Sequence, residues 1–166
     1  MNPFRDVRSC LLRDLDGFVA ELQGYPDERQ VWALPAGFAN STGTLALHAA
    51  GNLRHFIGTV LGSTGYVRDR EHEFSARDVP RSDLIAGLEA AKREVGTVLA
   101  ALDPSRADAP FPIAIREYRP TTMRMLVHLT SHLAWHLGQA DYHRRTVTGM
   151  AQPVAALGLQ ILAGND

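Results

Sequence analysis

Apolar side chains return at three- and four-residue steps along four long stretches of this chain, the period of helices with one buried face. Phe4, Val7, Leu11, Leu15, Phe18 and Leu22 make the first stripe; Asn2 and Pro3 open it, and Gly24 and Pro26 end it. A connector containing Trp32, Pro35 and Gly37 leads to a second stripe of Leu45, His48, Asn52, His55, Ile57 and Leu61. Asn40, Ser41 and Thr42 offer caps for it, and Gly62 and Gly65 close it. Residues 63–79 are polar and charged, and read as an excursion rather than a packed element. The third stripe opens at Pro80–Ser82, runs through Leu84, Leu88, Ala91, Val95, Val98 and Leu102, and stops at Asp103-Pro104. Residues 108–120 hold three prolines and a short alternation around Ile113 and Ile115, an extended piece with no evident partner strand. Thr121 or Thr122 caps a fourth, long helix reaching about Thr146 and broken by Gly149, and a shorter apolar helix follows from about Pro153 to Leu162.

Nothing repeats and no stretch is of low complexity, so the 166 residues are expected to form one all-α domain spanning 1–166, a four-helix bundle with a short extra helix at its C-terminal end. Hydrophobic content of 45% and charged content of 21% are those of an ordinary globular chain. A formal net charge of −1 supplies no field to recruit nucleic acid or an anionic membrane. Cys10 is the sole cysteine, which excludes an internal disulfide and any multi-cysteine zinc site, and its place in a helical stripe makes it a packing residue. The charged amino-terminal stretch does not read as a signal peptide, and no apolar run approaches the ~18 residues of a membrane span. The expected address is the cytoplasm.

The fourth stripe changes the picture. His128, His132 and His136 recur every fourth residue, so each is turned only about 40° from the last. With His132 at zero, Trp135 falls at about −60°, Leu129 at about +60°, Leu133 at about +100° and Leu137 at about +140°, while Asp141 and Arg145 point the opposite way. The imidazoles are therefore expected on the inward side, where an unpaired ring is costly. A single inward histidine is usually satisfied by a carbonyl or hydroxyl, but three on one stripe each need a partner in one crowded layer. A metal ion satisfies several at once, and HxxxH is a spacing that holds one from a single helix. The protease form, HExxH, is excluded because Leu129 and Leu133 follow His128 and His132.

A further ligand must come from another helix. In the second stripe His48, Asn52 and His55 share one face, and the residues around His48 are apolar. His72, in the charged excursion, and His143, about 16 Å along the helix from His132, are poorer candidates. Glu117, Tyr118 and Asp141 are available as acids or bases, but none is assigned a catalytic role. Arg144 and Arg145 are expected to meet solvent or complement the helix dipole.

HLAWHLGQ at 132–139 and LALHAAGNLRHFIG at 45–58 resemble the DinB-like superfamily, whose members are four-helix bundles that bind zinc or nickel. The likeness in helix order and motif placement covers nearly the whole chain. It implies that His48, His132 and His136 are the metal ligands, with zinc or nickel as the cofactor. Spacing alone leaves the pairs 128/132 and 132/136 open, and the resemblance selects the second. His128 then lies beside the ligands, and Gln139 either packs within the bundle or orients a ligand. Three neutral histidines leave a coordination position open, as catalytic rather than closed structural sites do. The resemblance thus implies a metal-dependent enzyme acting on a small molecule, by hydrolysis or by transfer of a low-molecular-weight thiol such as mycothiol or bacillithiol. The alternative is a non-catalytic, metal-stabilised stress-response or dimerisation protein. A homodimer is consistent with either.

Overall fold

The structure, a computed structural model, describes residues 2–154 and residue 158. Five helices account for it. Helix α1 spans Arg5–Gln23, and the Asn2 side chain takes the Phe4 N–H at 2.9 Å just ahead of it. Helix α2 begins at Thr42, where the Ser41 hydroxyl accepts the Thr44 N–H at 3.2 Å, and runs regularly to Leu53. Its next six residues, Arg54–Thr59, widen into π-helical turns before a last turn over Val60–Gly62. Helix α3 is short, Arg70–Ser75, with Asp69 capping it through the His72 N–H. Helices α4, Arg81–Ala101, and α5, Thr122–Thr148, are long; Thr121 caps α5, and Gly149 ends it with φ 71°, a left-handed conformation that glycine adopts without penalty.

Helix α1 packs on α4 and α5, and α2 packs on α3, α4 and α5. The core between them takes Leu11, Leu15, Phe18 and Leu22 from α1, Leu45 and Ile57 from the second segment, Leu84, Leu88 and Val95 from α4, and Leu126, Leu129 and Leu133 from α5. Each such large side chain, fully buried, contributes about 1.5–3 kcal/mol of transfer free energy. The bundle is the all-α arrangement that the four stripes predict. No strand occurs among the described residues; the alternation near Ile113 gives only isolated bridges, Ile115 with Tyr118 and Pro110 with Thr121. The short helix expected from about Pro153 to Leu162 falls, apart from residues 153, 154 and 158, outside the described residues.

Sequence expectations fail at two places in the packing of the bundle. Residues 63–79 are not merely an excursion, because α3 packs against α2 and buries Glu73. Arg144 does not meet solvent: it is fully buried, with Nε 2.6 Å from Glu21 and Nη2 bonded to Asp141 and to the Gln152 carbonyl. A side chain at position 24 would collide with the Arg144 stem, so Gly24, which ends α1, also makes room for this buried cation.

Candidate metal centre

Helices α2 and α5 run antiparallel where they face each other. Thr42 lies at the level of His143, both bonded to the Tyr25 hydroxyl, and His48 lies at the level of His132 and His136. That pairing brings the three expected ligands together. His136 Nε2 is 3.1 Å from His132 Nε2, His48 Nε2 is 3.4 Å from the same atom, and one ring nitrogen from each residue lies within 4.8 Å of the others. Imidazole nitrogens held at about 2.0–2.1 Å by one tetrahedral ion stand about 3.3 Å apart, so the two distances to His132 Nε2 match those of a shared cation.

The outward nitrogens decide which inward ones are bare. His48 Nδ1 lies 3.0 Å from the Glu73 carboxylate, a pure acceptor when ionised, so Nδ1 carries the proton. Arg68 Nη2 is also 3.3 Å from that nitrogen, but a guanidinium only donates, so its hold is on Glu73, which it grips at 2.7 Å through both Nε and Nη2. His136 Nδ1 lies 2.8 Å from Gln139 Oε1 and donates to it. In their neutral forms His48 and His136 turn lone pairs toward His132 Nε2, which can offer at most one hydrogen. At least one of the two lone pairs is left without a hydrogen, and a shared cation is a partner that could satisfy it.

Burial tunes the same groups. Desolvation pushes His132 down to about 4, with the neighbouring His136 and His48 acting the same way, and desolvation also lowers His136. Both rings are thus neutral, and able to ligate, at neutral pH. Burial pushes the Glu73 carboxyl up, but the bonds from Arg68 and His48 outweigh it and hold the group below its usual range.

The histidine stripe does not face fully inward, as the angles suggested. The buried arc of α5 runs through Leu126, Leu129, Leu133, Leu137 and Ala140, centred about 100° from His132. The imidazoles therefore sit on its shoulder: His128 is exposed, His132 and His136 half-buried, and Trp135, beyond the shoulder, is 69% exposed. His128 is outside the three-histidine group and stacks on His132 with ring centroids 5.8 Å apart. His55, though on the His48 face, falls in the π-helical turns and also stands outside the group. His72, Glu117 and Tyr118 are exposed.

His143 is fully buried for a different purpose. Its Nε2–H donates to the Ala33 carbonyl at 2.7 Å, leaving Nδ1 to accept the Tyr25 hydroxyl at 2.7 Å, which in turn receives the Thr42 hydroxyl. The ring thereby pins the 25–33 connector to α2 and α5.

The chain matches a family model described as mycothiol S-transferase over residues 6–149. The chain belongs to that family. The mycothiol S-transferase family is part of the DinB-like superfamily, so the resemblance carried by HLAWHLGQ is correct. No curated protein and no solved structure matches the chain. Two participants went unnoticed in the sequence. Glu73 and Arg68 lie in a segment rich in charge, and no local pattern marks one carboxylate there as buried. The one available signal is Gly51, one turn beyond His48: a Cβ built there would fall inside the Glu73 carboxylate. Among the described residues no helix is long and apolar enough to cross a membrane.

Proposed function

We propose that this protein is a metal-dependent S-transferase that activates mycothiol at His48, His132 and His136 and joins it through its sulfur to a small electrophile. The observation that carries this reading is the pair of lone pairs, from His48 and His136, aimed at one nitrogen of His132 in a chain whose family is that of mycothiol S-transferases. Imidazole donors suit both zinc and nickel. A divalent ion held by the three imidazoles would supply Lewis acidity and would lower the pKa of a thiol brought to it.

The chain's own residues prepare the site. Glu73, fixed by Arg68, holds His48 in the tautomer that offers Nε2, and Gln139 does the same for His136. His132 and His136 are half-exposed, which leaves the solvent side free for a thiol and its acceptor. In the reaction the sulfur forms a bond to the electrophilic carbon, the leaving group departs with its electron pair, and the thiol proton passes to solvent. Family membership favours this transfer over hydrolysis. A cytoplasmic setting, where small thiols are kept reduced, suits it.

The test is metal analysis of protein purified without a histidine tag, followed by mycothiol consumption with an alkylating electrophile. About one equivalent of metal and chelator-sensitive consumption are expected, and His132→Ala should lose both. Full metal retention in His132→Ala would overturn the site. Metal that raises thermal stability without ever supporting thiol consumption would favour the structural alternative.

A further inference from the structure

One turn along the α2–α5 pair from the histidines lies a cavity of about 300 Å³, at the lower end of small-molecule sites. Leu45 enters it from the turn before His48, Gln139 and Tyr142 from the turns after His136, and Phe38 and Asn40 from the connector. Gln139 belongs to both places: its oxygen takes the His136 proton at 2.8 Å, and its amide NH2 remains for a ligand. The connector wall is braced by the buried His143, which bonds the Ala33 carbonyl and meets the Phe38 ring edge-on at 5.5 Å between centroids. Over Gln139 and Tyr142 the cavity adjoins an apolar depression floored by Gly138 and flanked by Trp135. Trp135 and Tyr142 are each 69% exposed, large aromatic faces left to solvent. Among the described residues no charged side chain lines the cavity.

We propose that this cavity holds the sugar end of mycothiol while its cysteinyl sulfur reaches the histidines, and that it selects mycothiol over charged thiols. The proposal rests on the transferase reading above and adds the specificity of that site. A glucosaminyl-inositol has flat, C–H-rich ring faces and a rim of hydroxyls, without formal charge. Aromatic faces with the amides of Asn40 and Gln139 match both surfaces. Bacillithiol carries a malyl group with two carboxylates, and glutathione carries two carboxylates and an ammonium. Here either would desolvate charge with no charged side chain among the described residues of the lining opposite it, which is the repulsive half of a specificity device.

Binding of the S-methyl thioethers of mycothiol and bacillithiol to the metal-loaded protein, followed by calorimetry, tests the cavity apart from turnover because neither can bind as a thiolate. S-methyl mycothiol should bind at least tenfold more tightly than S-methyl bacillithiol. Tyr142→Ala and Asn40→Ala should each weaken it about tenfold and raise KM for mycothiol, with metal content retained. Tyr118→Ala, an exposed aromatic that lines no part of the cavity, should leave binding unchanged. Equal affinity for the two thioethers, undiminished binding by both cavity variants, or a KM change confined to the electrophile would each overturn the assignment. Thioether binding without thiol consumption by any electrophile would instead sink the transferase reading.

Discussion

His48 and Glu73 are joined by a 3.0 Å hydrogen bond that spans two helices and 25 residues of chain. The carboxylate fixes the imidazole tautomer and raises its donor strength, so its loss should be felt as lost metal affinity. Glu73→Gln keeps the size of the side chain but removes the charge. Competition against a chelating dye should show metal binding about ten- to hundredfold weaker. Unchanged affinity would mean that the carboxylate has no hold on His48.

Gly51 is the space into which Glu73 fits, since a Cβ there would overlap the carboxylate. Gly51→Ala gains helix propensity of up to about 1 kcal/mol and should nonetheless weaken metal binding in the same direction as Glu73→Gln. The pair read together is diagnostic. A Gly51→Ala protein that is more stable and binds metal as well as the parent would show that Glu73 is not needed where it lies.

The HxxxH pair is decided by comparing two variants one turn either side of His132. His136→Ala removes a ring whose Nε2 is 3.1 Å from His132 Nε2, whereas His128→Ala removes an exposed ring that only stacks. Stoichiometric metal should be lost in the first and kept in the second. The reverse result would move the pair to 128/132.

Acid should destabilise the metal-free protein through these rings. His132 is pushed down to about 4, and burial lowers His136 and His143 as well. An unfolded histidine takes up its proton near pH 6.5, while the folded rings resist until lower pH. The unfolded state therefore binds more protons between those limits, and stability falls as pH drops from about 6.5 toward about 4. Burial raises Glu21 and Asp14, whose protonation in the folded state acts in the opposite sense. The informative quantity is thus the difference between the parent and His132→Asn. Denaturant midpoints should fall less steeply with acid in the variant across this window, and parallel curves would contradict the buried, neutral ring.

The long helices and the histidine stripe were legible in the sequence because both express a local period. Ser41, Thr121 and Gly149 mark ends that the structure keeps. Whether His128 or His136 completes the site was not legible, since the two differ by only about 80° around α5 and the choice depends on which level faces α2. The same limit hid Glu73, which is brought to His48 only by the packing of α3 on α2. It also hid the Tyr25, Thr42 and His143 chain, whose members are 17 and 118 residues from Tyr25. Local patterns report which face is apolar. They do not report which polar group from elsewhere will be set into it.

Arg144 and Glu21 give the sharpest stability prediction, because the pair is 2.6 Å apart and almost entirely removed from water. Removing Glu21 leaves the buried guanidinium with only the Asp141 carboxylate at 3.1 Å opposite it, and breaking a buried ion pair costs up to about 3–5 kcal/mol. Glu21→Ala should lower the unfolding free energy by that order in urea titrations. Replacing both residues, as Glu21→Leu with Arg144→Met, should recover much of the loss, since no charge is then left uncompensated. The recovery cannot be complete: Arg144 also binds the Gln152 carbonyl at 3.0 Å and so anchors the chain beyond α5. Proteolysis near residue 150 should therefore quicken in the double variant even where global stability returns. A Glu21→Ala protein as stable as the parent would show that Asp141 alone compensates the buried Arg144 and that the Glu21 pair adds no stability.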